Sequence, residues 1–567
     1  MKALSVDQRQ TALEMMARDG VEVLVVGGGI TGAGVSLDAV ARGYKTALIE
    51  KADFASGTSS KSTKLSHGGI RYLAHFDFAL VKEALEERGR MIRNAPHLVK
   101  PLGFVLPLYK HNKRPMDMPF VLPGGIGTSL IMQAGLLLYD LLSGKLGIQR
   151  HRRISIQTAQ QLAPALLPKD MTSAFVYYDG QTDDTLLTMS VLRTAAKQGA
   201  LLANYTELLS FDLAEGVIVA ANIKDVVNGQ TYRVPVKQVV NAAGVFAGRV
   251  EALAGKSNIQ IKPAKGVHLT VPREKVPIGS YAVVLPETPD NRLVFLVPWH
   301  TRVTIGTTDT KGGNIDVPVA NRDDIDYLLE VTNAYLQTKL TKADVVSAWA
   351  GYRPLIAPAS SNGDTSKLSR THVVNDGPGG MITITGGKLT TYRRMAQDTV
   401  DRVDKHMGRA SAHPTESMPL DGAPGRVEAA KDVDKAALQF GWNADVVQRV
   451  NEYGQEACEL LKICTEDRAY AQPVVPDLPY VLAEVVYACR YEMAIQLDDM
   501  LARRLHLNFE DWTRGVACAP AVAEVMGREL GWSAQVQAEQ VARYRQIVTA
   551  DQVAEERPTT APQEGFA

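Results

Sequence analysis

The apolar and polar pattern at the start of the chain predicts an amphipathic helix followed by a buried parallel strand. Residues 6–19 carry apolar side chains at helical spacing. Val21–Val26 is almost wholly apolar and ends in three glycines, which is typical of a buried strand that enters a tight turn. Val35–Arg42 predicts a helix, and Lys45–Ile49 predicts a second strand that ends in Glu50. This order predicts a βαβ unit.

Strand-like and helical runs alternate as far as about residue 405, and the pattern then becomes helical almost throughout. Val234–Val240, Leu293–Val297, Val303–Gly306 and Met381–Thr385 predict strands, and Asp323–Leu340 predicts a helix. The predicted organisation is an N-terminal helix (1–20), an α/β body (21–405), a linker rich in Gly, Pro, Ala and Ser (406–426), a helical domain (427–549) and a disordered polar tail (550–567).

Composition and charge narrow the class of protein. With 567 residues and a mass of 61.6 kDa, the chain is too long for a single core, which rarely exceeds about 200–300 residues. The 62 Lys and Arg residues equal the 62 Asp and Glu residues, so bulk charge predicts no binding of nucleic acid. An anionic partner would have to bind to local groups of positive charge.

The cysteines and the N-terminus predict a cytoplasmic protein without a metal site. The four cysteines form no CxxC motif and have no partner histidine at metal-binding spacing, which fits unpaired thiols in a reducing compartment. The first 20 residues are polar and include acidic residues, unlike a signal or transit peptide. The uncharged stretch Met118–Tyr139 is long enough to cross a bilayer, but its prolines and glycines leave only Thr128–Leu142 as a continuous helix, which is too short.

The glycine run after the first strand predicts a dinucleotide site. Gly27, Gly29 and Gly32 fit the pattern GxGxxG between a strand and a helix, and Glu50 ends the next strand. The first glycine would permit the turn, the second would admit a pyrophosphate, and the third would allow close packing. Glu50 would accept hydrogen bonds from the adenosine ribose. This geometry by itself fits both NAD and FAD; the loop after Glu50, with Ser59 and Ser62, offers hydroxyl groups to a longer cofactor.

Three motifs identify a family more specifically. VGGGITGAGVSLDAVARG, SSKSTKLSHGGIRYL and GGKLTTYRRMA resemble the motifs of the FAD-dependent glycerol-3-phosphate dehydrogenases, over about residues 20–400 and more weakly beyond. The resemblance implies FAD as cofactor and oxidation of sn-glycerol 3-phosphate to dihydroxyacetone phosphate, with electrons passed to a membrane quinone. It implies an α/β fold in which a Rossmann-type FAD-binding domain is interleaved with a mixed-sheet substrate domain, plus an all-helical C-terminal domain.

The resemblance also implies roles for single residues. Arg71, Tyr72, Arg353, Arg370 and Lys388 align with residues that surround substrate and flavin. Arginine suits a phosphate because its planar fork can bind two oxygens at once. Lys388 could bind the phosphate or lie near the flavin N1/C2 carbonyl, and both roles stay open.

The proton acceptor is predicted to be His268, because the family has a histidine at the matching place and a neutral imidazole can accept a proton near neutral pH. His67 is a second candidate, expected to pack near the flavin. Gly244 and Gly387 lie in predicted turns beside the cofactor, and Thr307–Asp309 in its scaffold. The adjacent acids Asp183 and Asp184 could form a catalytic pair, but their place before an apolar helix favours N-terminal helix charges.

A quinone is insoluble in water, so the resemblance also implies contact with the inner face of the cytoplasmic membrane. Residues 100–153 combine apolar runs with clustered cations and are the predicted membrane surface. The alternative is a buried helix flanked by solvated charges. Three further alternatives concern function. The enzyme could be an oxidase that uses O2, or it could act on an amine in place of the alcohol. The chain could also be a membrane-associated flavoprotein without catalysis. The sequence does not determine the oligomeric state, and a homodimer is one of the states that it allows.

Overall fold

The computed structural model describes residues 4–123, 125–290, 292–311, 313–356 and 371–556. Arg370, one of the predicted substrate ligands, lies outside the described residues. The strands are β1 (Val21–Val26), β2 (Thr46–Ile49), β3 (Leu65–Ser66), β4 (Lys100–Tyr109), β5 (Arg152–Ile154), β6 (Met171–Gln181), β7 (Leu201–Ala203), β8 (Thr206–Ala214), β9 (Val217–Asp225), β10 (Thr231–Asn241), β11 (Ile261–Pro272), β12 (Ala282–Leu285), β13 (Val294–Trp299), β14 (Arg302–Gly306), β15 (Thr310–Lys311), β16 (Ser347–Ile356), β17 (Val373–Asp376) and β18 (Ile382–Thr385).

The helices lie before, between and after these strands. They are α1 (Val6–Asp19), α2 (Ile30–Ala41), α3 (Arg71–Ala74), α4 (Phe78–Asn94), α5 (Gly125–Ser143), α6 (Ile156–Leu162), α7 (Asp184–Lys197), α8 (Ala247–Ala252), α9 (Arg322–Asn333), α10 (Tyr392–Met407), α11 (Arg426–Phe440), α12 (Ala444–Asn451), α13 (Ala457–Glu466), α14 (Leu482–Tyr491), α15 (Leu507–Glu510), α16 (Ala519–Leu530) and α17 (Ala534–Glu555). A π-helical turn spans Asp499–Arg504.

The first sheet has the order β17-β18-β10-β1-β2-β7, with the β8–β9 hairpin attached to β10. Strands β18, β10, β1, β2 and β7 pair in parallel, so the predicted βαβ unit at the start of the chain is confirmed. Helices α2, α7 and α10 pack on one face, and α1 packs with the β8–β9 hairpin on the other. Helix α2 begins at Ile30, five residues before the predicted start, because the glycine turn leads directly into it.

The second sheet has the order β15-β11-β14-β13-β12-β4-β6-β3, with β16 paired to β11 and β5 to β6. Most of its pairs are antiparallel, and α6 and α9 cover one face. The predicted helix Asp323–Leu340 ends early, at Asn333. There the Asn333 side chain exchanges two hydrogen bonds with the backbone of Leu340, which closes a turn in place of further helix.

The predicted membrane surface at 100–153 divides into two parts. For the first part the prediction of a membrane surface is wrong, because β4 is an inner strand of the second sheet and is buried from Leu102 to Tyr109. Helix α5 is amphipathic: Met132, Leu136 and Tyr139 are buried, and an opposite stripe of leucines is exposed. No helix in the described ranges is both long and apolar enough to cross a bilayer.

The C-terminal helices share one apolar core with α2, α7 and α10. The segment between α10 and α11 is tied to this core by polar contacts. The Thr415 hydroxyl donates to Asp38 at 2.5 Å, and Asp421 accepts from Arg193 at 2.9 Å. Helix α17 continues to Glu555, so the tail predicted from Ala550 is helical over its first residues.

Candidate active site

A cavity of about 790 Å3 lies between the two sheets. At one end its wall is formed by the glycine turn after β1 and by Glu50 at the end of β2. At the other end the wall comes from the second sheet, with His268 on β11 and Arg353 on β16. The fold therefore joins the predicted cofactor residues and the predicted substrate residues in one continuous space.

The glycine turn leaves no room for side chains. Gly27 adopts a φ of +114°. A Cβ at Gly32 would lie 1.9 Å from the Gly27 carbonyl oxygen, so only glycine permits the close packing of α2 on the turn. Gly27 and Gly29 line the cavity, whereas Gly32 supports the turn from behind. No acidic side chain occupies the first turn of α2, so the helix itself places no negative charge at this positive end.

Side chains of the next segment shape the same end. The Glu50 carboxylate accepts hydrogen bonds from the amides of Gly28 at 2.7 Å and Ala52 at 3.0 Å, which fixes it at the cavity wall. Burial raises the pKa of Glu50. The Ser59 hydroxyl accepts from the Ile30 amide at 2.9 Å and so caps α2 across the turn. Ser59 also lines the cavity.

Ser62 lines the cavity as well, and it is anchored to the pair of acids before α7. Its amide and hydroxyl donate to Asp184 at 3.0 Å and 2.7 Å, and the Lys64 ammonium donates to the other oxygen of Asp184. Asp183 accepts from the amides of Thr185 and Leu186 and caps α7. The prediction of helix N-terminal charges is confirmed, and Asp184 also holds the loop that carries Ser62 and Lys64.

Turns from three other elements reach the cavity wall. Gly244, after β10, and Gly387, before α10, both line it with positive φ values of +56° and +76°. Thr307–Asp309, after β14, also lines it. The His67 amide donates to the Thr390 hydroxyl at 3.1 Å, which links two of the family motifs directly.

Arg71 and Lys388 both line the cavity although 317 positions separate them in the chain. The Lys388 Nζ lies 4.0 Å from the centre of the Tyr72 ring, an ammonium-to-aromatic contact. Tyr72 is not among the residues that line the cavity. Arg71 is bound by Asp117, with 2.8 Å between Nε and Oδ2.

Arg353 is oriented by the turn that follows β14. Its Nη1 donates to the Thr308 carbonyl at 3.2 Å, and its Nη2 donates to the Thr307 hydroxyl at 3.0 Å. A Cβ at Gly266 would lie 2.6 Å from Nη2, so the guanidinium lies directly over this glycine of β11. The Arg353 side chain is half-buried and reaches the cavity.

His268 is buried in the cavity wall between β14 and β16. Its Nε2 lies 2.9 Å from the Thr63 hydroxyl, and Nδ1 has no hydrogen-bond partner among the described residues. Burial and the nearby cations Arg353 and Lys64 lower the pKa of His268 to about 3, so the imidazole is neutral at physiological pH.

The cavity wall contains residues that the motifs did not mark as functional. Thr63 contacts the imidazole, and Lys61, Arg292 and Phe295 also line the wall. Thr63 and Lys61 lie inside the recognised loop motif, so position in the motif was a usable signal. Phe295 lies on β13 and Arg292 lies two residues before this strand, in an ordinary strand pattern, and only the packing of the second sheet brings them to the site.

Comparisons with known proteins match most of the chain. The family model for FAD dependent oxidoreductases matches residues 22–393, and the model for the C-terminal domain of alpha-glycerophosphate oxidase matches residues 413–537. The chain is 38% identical over 563 residues to glycerol-3-phosphate dehydrogenase 2 of Mycobacterium tuberculosis, covering 98% of this chain and 93% of the relative. It is 36% identical to the mitochondrial glycerol-3-phosphate dehydrogenase of Mus musculus, covering 90% and 71%.

A solved structure extends the likeness to three dimensions. The glycerol-3-phosphate dehydrogenase from Bacillus halodurans, crystallised with FAD, superposes with a TM-score of 0.77 at 28% identity. The match covers 99% of this chain and 100% of that one, so it includes both sheets and the C-terminal helices. The α/β fold with a helical C-terminal domain, predicted above, is confirmed.

Proposed function

The chain belongs to the FAD-dependent glycerol-3-phosphate dehydrogenase family, and on that premise we propose that it oxidises sn-glycerol 3-phosphate to dihydroxyacetone phosphate with a membrane quinone as electron acceptor. One observation carries this proposal: Arg71, Arg353, Lys388 and His268 line the same cavity as the glycine cradle. This arrangement provides binding of a phosphate, acceptance of a proton and a cofactor site within one space.

The residues present fit FAD. Gly27 and Gly29 clear space for a pyrophosphate at the N-terminus of α2, and Glu50 can accept hydrogen bonds from a ribose. Lys51 and Arg249 lie over the Phe246 ring, at 4.2 Å and 5.2 Å from its centre, beside the adenosine end. The cavity continues from there to His67 and Lys388, which would hold the flavin end. When bound, FAD supplies the acceptor for the hydride that leaves C2 of the substrate.

The cations bind the phosphate in this proposal. A dianion is poorly solvated in a half-closed cavity, so it needs several positive donors at fixed positions. Arg71 and Arg353 offer planar guanidinium groups whose orientations are set by Asp117 and by the Thr307–Thr308 turn. Lys388, which the Tyr72 ring supports, adds a point charge.

His268 takes the proton of the C2 hydroxyl. Because its pKa is lowered to about 3 in the substrate-free protein, the imidazole is available in its neutral, proton-accepting form. The arriving phosphate dianion opposes the field of Arg353 and Lys64, so substrate binding raises the pKa of the acceptor at the moment it is needed. The proton arrives at Nε2, the ring atom that contacts Thr63 in the cavity wall.

The exposed stripe on α5 supports a membrane-bound acceptor. Leu130, Leu137 and Leu141 have exposures of 64%, 51% and 67%, and their spacing places them on one face of the helix. Exposed cations follow along the chain at Lys145, Arg150, Arg152 and Arg153. An apolar helix face next to cations suits a helix that lies on anionic lipid, which would place the enzyme on the inner face of the cytoplasmic membrane.

Anaerobic reduction tests the proposed reaction. The flavin absorbance of the purified holoprotein should bleach on addition of sn-glycerol 3-phosphate and should stay unchanged with glycerol, which lacks the phosphate. A protein that keeps its flavin colour with the phosphorylated substrate would not be a dehydrogenase of this alcohol. A panel of amines would then identify the alternative substrate class.

A second measurement identifies the acceptor. The bleached protein should recover its colour faster with a short-chain ubiquinone in lipid vesicles than with dissolved O2 at equal concentration. Faster reoxidation by O2, with release of hydrogen peroxide, would favour an oxidase.

A further inference from the structure

One short segment of the C-terminal helical domain lies behind the active site. After the π-helical turn, residues 506–510 pack against the second sheet and are anchored by hydrogen bonds at several points. His506 contacts Asp183 with 2.8 Å between Nε2 and Oδ2, and the Ser347 hydroxyl donates to the Phe509 carbonyl at 2.7 Å. Arg302 donates to the Glu510 carbonyl at 2.8 Å.

The side chain of Phe509 belongs to a stack of three rings that ends at His268. Phe509 stacks on Trp349 with 4.6 Å between ring centres and 29° between planes. Trp349 stacks on His268 with 5.2 Å and 13°. All three residues are buried, so the stack forms a continuous column from the C-terminal domain to the imidazole.

Packing holds these rings more than hydrogen bonds do. The Trp349 Nε1 and the His268 Nδ1 are buried without hydrogen-bond partners among the described residues. Among the described residues, the one hydrogen bond of the imidazole joins its Nε2 to the Thr63 hydroxyl. Thr63 lies on the loop that follows Glu50. On the strand beside it, a Cβ at Gly306 would lie 2.0 Å from the His268 Cδ2, so the imidazole occupies the space that a side chain at this position would fill.

Removal of Phe509 would open the column at its end next to the C-terminal domain, where the Lys61 ammonium lies 4.6 Å from the centre of the Phe509 ring. Trp349 would then lose the surface that holds it against the imidazole, and no hydrogen bond of its indole would replace that surface. The imidazole could tilt away from Thr63, and water could reach it, which would raise its pKa toward that of an exposed histidine. Both changes affect the proton transfer rather than the binding of the phosphate.

We propose that Phe509 is a positioning residue for the proton acceptor: acting through Trp349, it holds the His268 imidazole in the orientation that receives the C2 hydroxyl proton. This inference rests on the proposed function, which assigns His268 as the acceptor. It gives the C-terminal domain a part in the reaction, although none of its residues from 426 to 510 lines the cavity.

A double-mutant cycle tests the inference. Phe509→Ala should lower kcat about tenfold, with KM for glycerol 3-phosphate changed less than twofold. In a His268→Gln background the same substitution should have little further effect, because residues that act through one group are not additive. An equal tenfold loss in both backgrounds would show that Phe509 acts only on general stability and would overturn the inference.

A matched control separates position from stability. Leu460 is fully buried in α13 of the same domain, and Leu460→Ala removes a similar apolar volume without touching the column. It should leave kcat and the pH profile of kcat unchanged. Phe509→Leu keeps most of the side-chain volume, so its kcat should lie between that of Phe509→Ala and that of the parent. The same variant serves for the test if Phe509→Ala fails to fold.

A readout independent of turnover distinguishes this inference from the proposed function. Diethyl pyrocarbonate modifies accessible neutral imidazoles, and peptide mass spectrometry reports the rate at His268. In the folded holoprotein this rate should rise at least fivefold in Phe509→Ala and stay at the parent value in Leu460→Ala. A rate that does not change in Phe509→Ala would overturn the positioning role, whether or not glycerol 3-phosphate bleaches the flavin.

Discussion

Asp117 holds Arg71 along one edge of its guanidinium. The same carboxylate oxygen lies 2.8 Å from Nε and 2.5 Å from Nη2 of Arg71. Asp117 adopts a φ of 60° next to Met116 at 61°, a conformation that costs about 1–2 kcal/mol for each residue that is not glycine. The turn therefore fixes the direction in which the remaining guanidinium N–H groups point, and no motif in the sequence marks it.

Asp117→Ala should weaken substrate binding. Without the carboxylate, the Arg71 side chain regains rotational freedom and must be ordered by the phosphate itself, so we expect KM for glycerol 3-phosphate to rise about tenfold, near 1.4 kcal/mol. Steady-state kinetics with a soluble dye as acceptor measure this. Asp170→Ala is the control because Asp170 forms an exposed ion pair with Lys110. A KM equal to that of the parent would show that Asp117 has no part in substrate binding.

Arg353→Ala should lower kcat/KM for glycerol 3-phosphate about 10- to 100-fold, since a hydrogen bond to a charged group contributes about 1.5–3 kcal/mol. The kcat/KM of Arg353→Lys should lie between those of Arg353→Ala and the parent. Lysine keeps the positive charge but lacks the planar guanidinium group that Thr307 and Thr308 hold. The rate of anaerobic flavin bleaching at low substrate measures both. Arg233→Ala, at an exposed ion pair on β10, should bleach at the parent rate. Bleaching of Arg353→Ala at that rate would refute the assignment.

Two buried histidines should make the fold less stable as the pH falls. Burial lowers the pKa of His97 to about 4 and that of His268 to about 3, below the ordinary 6.5 of the unfolded chain. Between these values and 6.5 the unfolded state binds more protons, so the free energy of unfolding decreases as the pH is lowered from 6.5. The loss continues until the pH reaches the folded pKa of each group.

Thermal unfolding at pH 7 and pH 5 measures this linkage. The drop in Tm between the two should be smaller in His97→Gln and in His268→Gln than in the parent. His111→Gln, at an exposed site, should show the drop of the parent. Identical drops in all four proteins would show that neither buried imidazole resists protonation.

The α5 stripe should determine binding to lipid. Leu137→Asp and Leu141→Asp place charge on the exposed apolar face, so less protein should sediment with vesicles that contain phosphatidylglycerol, while flavin bleaching in solution should be unchanged. Leu438→Asp is a matched control, because Leu438 is 89% exposed on α11 of the C-terminal domain. Equal sedimentation of the α5 variants and the control would place the lipid contact elsewhere.

Local patterns predicted the part of the site that depends on neighbouring residues. The strand, glycine turn and helix at residues 21–41 are local in sequence, and Gly27, Gly29 and Glu50 do line the cavity. Ser59 and Ser62 were also found this way, since one short loop carries both. The apolar run of β4 was misassigned to a membrane surface, because a strand buried on both faces and a lipid-facing run have the same composition.

The sequence by itself determined the class of fold, the glycine cradle and, through three motifs, the family and its charged residues. Only the tertiary structure decided how those residues meet: Asp117 on Arg71, Tyr72 under Lys388, and Phe509 and Trp349 behind His268. The physical reason is the distance along the chain between the residues that interact. A turn or a helix start depends on side chains a few positions apart, whereas each of these contacts joins distant segments whose approach follows from the packing of two sheets and a helical domain.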